Sequence, residues 1–329
     1  MMRHRLLCLG IATTAMMTAS CTTTTSYAET TPVQDVASDL AMVVASGVDW
    51  AVRHQGDNGS YADDFGQANI EATSLMALAL LGEGNTVQTG PRANQLAAAI
   101  SWLRQKQRVD GTFADGANSA ARSARLQGLA TYAMMEAAGL SGMPTQLAES
   151  AELAVAATSS LRNDDGGWPK HAGGNSDIVT TGWCAVALQS ARFFGLEVAF
   201  EPNTVLAWFD ENATSTAAEA GSALFTMYYL GADPEKQPRM RELAAFVLQH
   251  ARTEDPEETY WATYALYQRG GDDWRQWQPR MQQELLGTQE AAGENRGSWA
   301  PAGATSRATT TALRTLALEA YYRFSRLVR

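Results

Sequence analysis

The sequence predicts an all-α protein in which six helical hairpins form an α/α toroid, (α/α)6, with two concentric rings of helices. Three observations support this fold class: a Gln–turn–Gly–x–aromatic element recurs along the chain, apolar stretches repeatedly end in glycine, and strand-like alternation is nearly absent. Repeated helical hairpins bury their apolar faces by stacking on one another. An open solenoid is the alternative arrangement of the same six units.

The recurring element marks the turn inside each hairpin. Its copies are Gln55, Gly59 and Tyr61; Gln107, Gly111 and Phe113; Gly166, Gly167 and Trp168; and Gln289, Gly297 and Trp299. The turns at 59, 111 and 166 follow one another at nearly equal intervals. The next interval, from 166 to 297, is close to three units in length, so two further units without this turn are expected within 200–275.

Each unit is predicted to consist of an amphipathic helix A, a loop and an apolar helix B. Helix A of the second unit places Leu96, Ala99, Ile100 and Leu103 on one face, and residues 243–250 repeat the pattern. Residues 73–81 are apolar or small on all sides, as expected of an inner helix. Predicted ends of helix B are Gly82, Gly139, Gly195, Gly231 and Gly270, and predicted N-caps are Asn69, Ser119, Ser176 and Ser306.

The first 28 residues have the character of a secretory signal. Arg3 and Arg5 precede an apolar run over residues 6–17, which is too short to span a bilayer. Cleavage before Cys21 would create a lipoprotein with Cys21 as the lipid attachment point, whereas cleavage after Ala28 would release an ordinary exported protein. We therefore expect a signal peptide at 1–28, a tether at 29–38, and a repeat domain at 39–329 of a periplasmic or outer-membrane lipoprotein, alternatively a secreted protein.

The charge and the cysteines limit the partners. Removing residues 1–28 takes two arginines and no acid from the 25 basic and 35 acidic residues, so the net charge changes from −10 to −12. Such an acidic body excludes nucleic acid as a partner and leaves the lipid anchor as the contact with the membrane. Cys184 is the one cysteine of the repeat domain, so an internal disulfide is excluded there. A monomer is expected.

The repeated element resembles the motif of squalene and oxidosqualene cyclases and the repeats of protein-prenyltransferase β subunits. Residues 165–168, followed by Thr181, Gly182 and Trp183, look especially like bacterial squalene-cyclase-like repeat proteins. The resemblance covers roughly residues 40–326. It implies that six units close into a ring. It also implies that the glutamine ends an outer helix and that the turn aromatic packs against it.

The catalytic motifs of the resembling families are missing. The chain lacks the Asp-x-Asp-Asp proton donor of squalene cyclases and the Gly-Cys-Gly-Glu-Gln thioester of complement-type toroids. Prenyltransferases bind zinc through Asp-x-Cys, but Gly182 stands two residues before Cys184. His171, Asp177 and Cys184 are the nearest approach to a ligand set, and a buried, inert Cys184 is the preferred interpretation. No metal and no cofactor are therefore predicted.

One group of charges suggests an anion site. Arg122 and Arg307 lie near predicted helix N-termini, where acids are normally favoured, and Arg125 lies one turn beyond Arg122. In a closed ring, units six, one and two are neighbours, so these arginines could share the mouth of the ring. The candidate ligand-binding residues are Arg122, Arg125, Arg307, Lys170, His171 and Asp177. The alternative is that the arginines pair with Asp115, Asp63 or Asp64.

The sequence favours a non-catalytic binding or scaffold module for an envelope protein, a peptide or a lipid. The alternative is a lyase-like enzyme that acts on an anionic glycan in the central cleft, because residues 165–169 look like part of pectate lyases. A terpenoid cyclase is not expected, since the proton donor is absent.

Overall fold

In the part of the chain that the structure describes, twelve helices alternate between an outer and an inner ring. The computed structural model describes residues 33–114 and 123–323, with side chains for 39–114 and 123–320. The outer helices are α1 (Val33–His54), α3 (Ala93–Lys106), α5 (Thr145–Ser160), α7 (Pro202–Glu211), α9 (Pro238–His250) and α11 (Gly271–Thr288). The inner helices are α2 (Ile70–Gly82), α4 (Ala124–Leu140), α6 (Ile178–Phe193), α8 (Ala217–Tyr229), α10 (Pro256–Arg269) and α12 (Arg307–Arg323). Beyond these helices, the described residues form four isolated β-bridges and no longer strand.

The inner ring is closed. Each inner helix packs against the inner helix before it and the one after it, and α12 packs back against both α2 and α1. The inner helices are buried almost all round, whereas the outer helices bury one face. On α3 the buried face includes the predicted residues 96, 99, 100 and 103. On α9, Leu243 and Val247 are buried as the repeated pattern predicts, whereas His250 is exposed. The toroid is confirmed, and the open solenoid is excluded.

The turn glutamines connect neighbouring units. The side-chain amide of Gln55 donates to the carbonyl oxygens of Gly59 at 3.0 Å and of Gln95 on α3 at 2.8 Å. Two other turns repeat this bond pair: Gln107 donates to Gly111 and to Ser150 on α5, and Gln289 donates to Gly297 and to Val43 on α1. We call this contact between one turn and the next outer helix a joint. The joint that closes the ring has the same bonds as two joints within the continuous chain.

Glycine is required at these joints for two reasons. Gly59, Gly111 and Gly297 have φ angles of 90°, 82° and 93°, in the left-handed region. A Cβ atom at any of them would also overlap a carbonyl oxygen of the next outer helix. The turn backbone therefore lies directly against that helix.

Several helix boundaries differ from the sequence prediction. Helix α1 begins at Val33, inside the segment predicted as a tether, directly after Pro32, a residue that is tolerated where a helix starts. Gly82 and Gly139 are not left-handed residues just past their helices: Gly82 is the last residue of α2 and Gly139 lies one residue before the end of α4, and they pack against Glu319 and Phe194. Left-handed glycines follow two and three residues later, at 84 and 142.

The predicted N-caps are partly correct. Asn69 caps α2, and the Ser306 hydroxyl accepts the N–H of residue 309 in the first turn of α12. Asp177 itself caps α6, one residue after the predicted Ser176, whose hydroxyl instead donates to Asp165. Helix α4 is capped by Ser123; the predicted Ser119 lies outside the described residues.

Candidate functional site

Aromatic side chains fill the interior of the ring. The central aromatic cluster comprises Tyr132 of α4, Trp183 of α6, Phe225 of α8, and Tyr260, Trp261 and Tyr264 of α10, each 3% exposed or less. The ring of Trp183 lies 4.5 Å from that of Trp261 and stacks on that of Tyr260 at 5.2 Å. Because α8 separates α6 from α10 in the ring, these contacts cross the interior.

Glycines let neighbouring inner helices pack closely against one another around the central aromatic cluster. Gly128, Gly182 and Gly221 are each the fifth residue of their helix, in α4, α6 and α8. A Cβ at Gly128 would lie 2.9 Å from the backbone nitrogen of Cys184, and one at Gly221 would lie 3.0 Å from Trp261. The interior of units two to five is therefore narrow as well as filled.

Arg125 connects three inner helices near their N-termini. From α4, its guanidinium contacts Glu71 of α2 at 2.9 Å and Glu257 of α10 at 2.7 Å. The arginine side chain is 19% exposed. Burial would lower the pKa of Arg125, but the two carboxylates outweigh it and raise that pKa further. Arg125 is thus paired, though with two glutamates and not with the predicted aspartates, and an anion would have to compete with both.

Arg307 lies at the closing joint. Its backbone N–H donates to the carboxylate of Asp64 at 2.9 Å, and its guanidinium donates to the Ser298 hydroxyl at 2.9 Å. Glu290 lies 3.7 Å from the same guanidinium. Asp64, one of the predicted alternative partners, thus contacts the backbone of Arg307 and accepts its N–H.

The other predicted ligand residues do not join Arg125 and Arg307. Lys170 and His171 are exposed on the loop before α6, and the carboxylate of Asp177 accepts the N–H of Thr180 as the helix cap. Arg122 and Asp115 lie outside the described residues. An anion site at the mouth of the ring stays a prediction, and the described contacts place Arg125 and Arg307 in separate hydrogen-bond networks.

Cys184 is buried in the inner ring, as expected. Its thiol donates to the carbonyl of Ala124 at 3.2 Å, and burial raises its pKa well above the ordinary value. Within residues 33–114 and 123–323, no three His, Cys, Asp or Glu side chains come together in a way that could hold a metal ion. Of the described helices, none combines the length and the apolar character needed to cross a bilayer.

A groove of about 740 Å³ runs along the outside of the third unit. One wall is α5, with the exposed Glu152 and Ala156 and the buried Val155, and the other is residues 196–199, between α6 and α7. Leu196 and Val198 are half-buried there, whereas Glu197 is exposed. The structure shows no hydrogen bond from the backbone N–H groups of residues 197, 198 and 199 to the described chain. We call this site the outer groove; the sequence prediction did not include it.

A second, smaller cavity lies where unit six meets unit one. It has a volume of about 270 Å³, and we call it the closure cavity. Residues 50–64 contribute Trp50, His54, Tyr61, Asp63 and Asp64, and residues 294–308 contribute Glu294 and Arg307. Of these residues, the sequence prediction included Arg307 as a ligand residue and the two aspartates as its alternative partners.

Comparison with known proteins supports the fold alone. No family model and no curated protein matches the chain. The type II terpene cyclase MstE from Scytonema has a TM-score of 0.64 and 14% sequence identity, with 86% of this chain and 97% of that one covered. The α-1,6-mannanase GH76A of Salegentibacter sp. HEL1_6, bound to α-1,6-mannotriose, has a TM-score of 0.61 and 10% identity, with 85% and 98% covered. The chain is therefore an α/α toroid with the fold of terpenoid cyclases, as the resemblance predicted.

Proposed function

We propose that the protein is a non-catalytic binding module whose ligand is a peptide segment of a partner protein. The observation that carries this proposal is the central aromatic cluster. Its six side chains occupy the interior of the ring, where a toroid would have to enclose a substrate. Arg125, which reaches from α4 to α2 and α10, is paired with two carboxylates. The ligand therefore binds outside the ring.

The consecutive aspartates of the chain also support a binding module. The mannanase structure is that of an inactive variant in which two consecutive aspartates are replaced by asparagine. The chain has such pairs at 63–64, 164–165 and 272–273. Asp63 accepts two backbone N–H groups of its own turn, Asp165 accepts from Gly167 and Ser176, and Asp273 pairs with Arg269. These bonds form turns and helix ends, which argues against the glycan enzyme.

The outer groove has the chemistry to bind a peptide. Val155, Leu196 and Val198 provide an apolar floor, and the free N–H groups of residues 197–199 can donate to a peptide backbone laid alongside them. The carboxylates of Glu152 and Glu197 stand at the groove and favour lysine or arginine in the ligand. We therefore assign to the groove a peptide that combines apolar and basic side chains.

The partner belongs to the cell envelope in this proposal. The signal at 1–28 and the lipid attachment at Cys21, both inferred from the sequence, support a module on the periplasmic side of a membrane, with a secreted protein as the alternative. A monomer that binds through the outer groove takes up one peptide.

Selection from a random peptide library displayed on phage tests the proposal. The selected peptides should combine apolar and basic residues, and a synthetic copy should bind in fluorescence polarisation. Val198→Asp should weaken binding at least roughly tenfold by placing a charge on the apolar floor. Met42→Asp is the matched control, because Met42 is an exposed apolar residue of α1 (62% exposed), and it should not affect binding.

Two results would contradict the proposal. One is peptide binding that is unaffected by Val198→Asp, or a selection without basic residues. The other is turnover of α-1,6-mannotriose or of geranylgeranyl dihydroxybenzoate, the compounds bound in the neighbouring mannanase and cyclase structures. Turnover of either would make the protein an enzyme.

A further inference from the structure

A further groove lies on the outside of the ring, one unit before the outer groove. It has a volume of about 250 Å³, and we call it the second groove. The residues of α3 that line it are Ala97, Ile100, Ser101 and Arg104. Each of them lies 55 residues before a residue of α5 that lines the outer groove, and the same interval separates Gly111 from Gly166. The two grooves are therefore equivalent features of consecutive units.

The two grooves differ in charge. The outer groove is lined by the carboxylates of Glu152 and Glu197. Among the described residues that line the second groove, Arg104 alone is charged. Its apolar surface comes from Val87, Ala97, Ile100, Pro144 and Leu147. The second groove thus combines apolar surface with one positive charge, where the outer groove combines it with two negative charges.

The guanidinium of Arg104 lacks a partner in the protein. Arg104 is half-buried, and it makes no hydrogen bond and no ion pair with the described chain. Every other described arginine that is buried or half-buried donates at least one side-chain hydrogen bond to the protein. These arginines are Arg92, Arg125, Arg162, Arg239, Arg269, Arg307 and Arg314. Partial removal of a cation from water costs free energy unless an acceptor replaces the water, so Arg104 indicates a missing acceptor.

The chain around Arg104 is basic within an acidic protein. Residues 84–109 contain four basic residues and no acid, although the whole chain has a net charge of −10. Two of the four already have partners: Arg92 pairs with Asp49, and the ammonium of Lys106 lies 5.1 Å from the ring centre of Trp102. The local charge therefore attracts an anion to a protein whose net charge repels one.

We propose that the second groove binds a peptide segment of a partner protein in which an apolar side chain lies beside an aspartate or a glutamate. The planar guanidinium of Arg104 matches a carboxylate, which accepts two of its N–H groups at once. The apolar side chain packs against Ile100 and Leu147, and the exposed side chains of Gln88 and Gln146 are available to the peptide backbone. This site is separate from the outer groove and does not depend on what the outer groove binds.

Selection from a random peptide library against the full chain carrying Val198→Asp tests this site, because that substitution places a charge in the outer groove. The selection should yield peptides that combine apolar residues with aspartate or glutamate, and a synthetic copy should bind in fluorescence polarisation. Arg104→Gln should weaken its binding at least roughly tenfold, as expected for a lost charge-assisted hydrogen bond. Arg108→Gln is the matched control: it removes the same charge from an exposed arginine just past the end of α3, outside the groove, so binding should stay within about twofold.

A double-mutant cycle assigns the contact to the carboxylate of the peptide. Replacing the acidic residue of the peptide by its amide should weaken binding by about the same factor as Arg104→Gln. Made together, the two changes should weaken binding no further, because both remove one ion pair. Arg104→Gln should also leave the melting temperature unchanged, since the guanidinium has no partner in the described chain.

Three outcomes would overturn the proposal. The first is a selection that yields no peptide with apolar and acidic residues together. The second is an acidic peptide that binds equally well to Arg104→Gln, which would place its site elsewhere. The third is an equal loss for Arg108→Gln and Arg104→Gln, which would mean that the general charge of this surface attracts the peptide and the groove does not hold it. None of these outcomes bears on the outer groove, whose peptides are selected against the chain without Val198→Asp.

Discussion

Gly297→Ala tests how closely the ring is packed at its closing joint. The new methyl group would overlap the carbonyl oxygen of Ser46, in the backbone of α1, so α1 must move by roughly 1 Å to restore van der Waals distance. Overpacking of this kind costs about 1–3 kcal/mol. The left-handed φ of 93° adds about 1–2 kcal/mol for any residue with a Cβ. We expect a total loss of roughly 2–5 kcal/mol in the free energy of unfolding.

Gly293→Ala is the matched control for this substitution. Gly293 lies in the same loop with a φ of 75°, but its Cβ would have no atom within 4 Å. It should lose only the backbone part, about 1–2 kcal/mol. Urea unfolding monitored by circular dichroism measures both variants, and hydrogen exchange reports the backbone of α1. Equal losses for the two variants, with unchanged exchange in α1, would refute the close contact between the closing turn and α1.

Two further predictions concern the inner ring. Arg125→Met should lower the free energy of unfolding by about 2–4 kcal/mol in urea titrations, because it leaves Glu71 and Glu257 without a cation. Adding Glu71→Gln and Glu257→Gln to this variant should recover part of the lost free energy. No recovery would show that the loss comes from packing and not from charge. Cys184 should react with iodoacetamide at pH 8 only after unfolding, because burial raises the pKa of its thiol and keeps the sulfur away from solvent. Equal labelling rates with and without urea would contradict the buried position of this thiol.

The fold could be predicted from the sequence because its signals are local and repeated. The spacing of Gln107, Gly111 and Phe113 marks one hairpin turn, and it is the same at residues 55, 59 and 61. The turns at 166–168 and 297–299 repeat the Gly–x–aromatic part. Units four and five lack that turn, yet the glycines at 231 and 270 follow their apolar helices and have positive φ angles, as expected for C-caps. The long interval between the turns at 166 and 297 correctly placed two units between 200 and 275.

Other features depend on contacts that a single sequence does not show. Gly82 and Gly139 look like C-caps, but each is small because of a distant side chain packed against it. Arg125 finds partners 54 and 132 residues away, one on the adjacent inner helix α2 and the other on α10, across the ring. The same holds for the closure cavity, whose two walls come from the first and the last unit of the chain. The proximity of Arg307 to Asp64 followed from the predicted order of units six and one.

The outer groove had no sequence signal for another reason. Residues 196–199 form an ordinary connection between α6 and α7, and α5 contributes only Val155, which is buried, and Ala156, which is exposed, as apolar residues. Surface apolar residues of this kind are common and carry little information alone. Only their position opposite one another, with free backbone N–H groups between them, suggests a binding surface.

The joints have a consequence for how the chain can be connected. The hydrogen bonds from Gln289 to Val43 and Gly297 hold the ring closed where no peptide bond links units six and one. The same hydrogen bonds are made by Gln55 and Gln107 at joints where the chain is continuous. Covalent continuity is therefore not what holds a joint together. A circular permutant that begins at α3 and ends after α2, with a linker from α12 to α1, would present the same twelve helices and the same joints. The termini of this toroid can be moved to a different joint, so a lipid anchor or a fused domain could be attached to any sector of the ring.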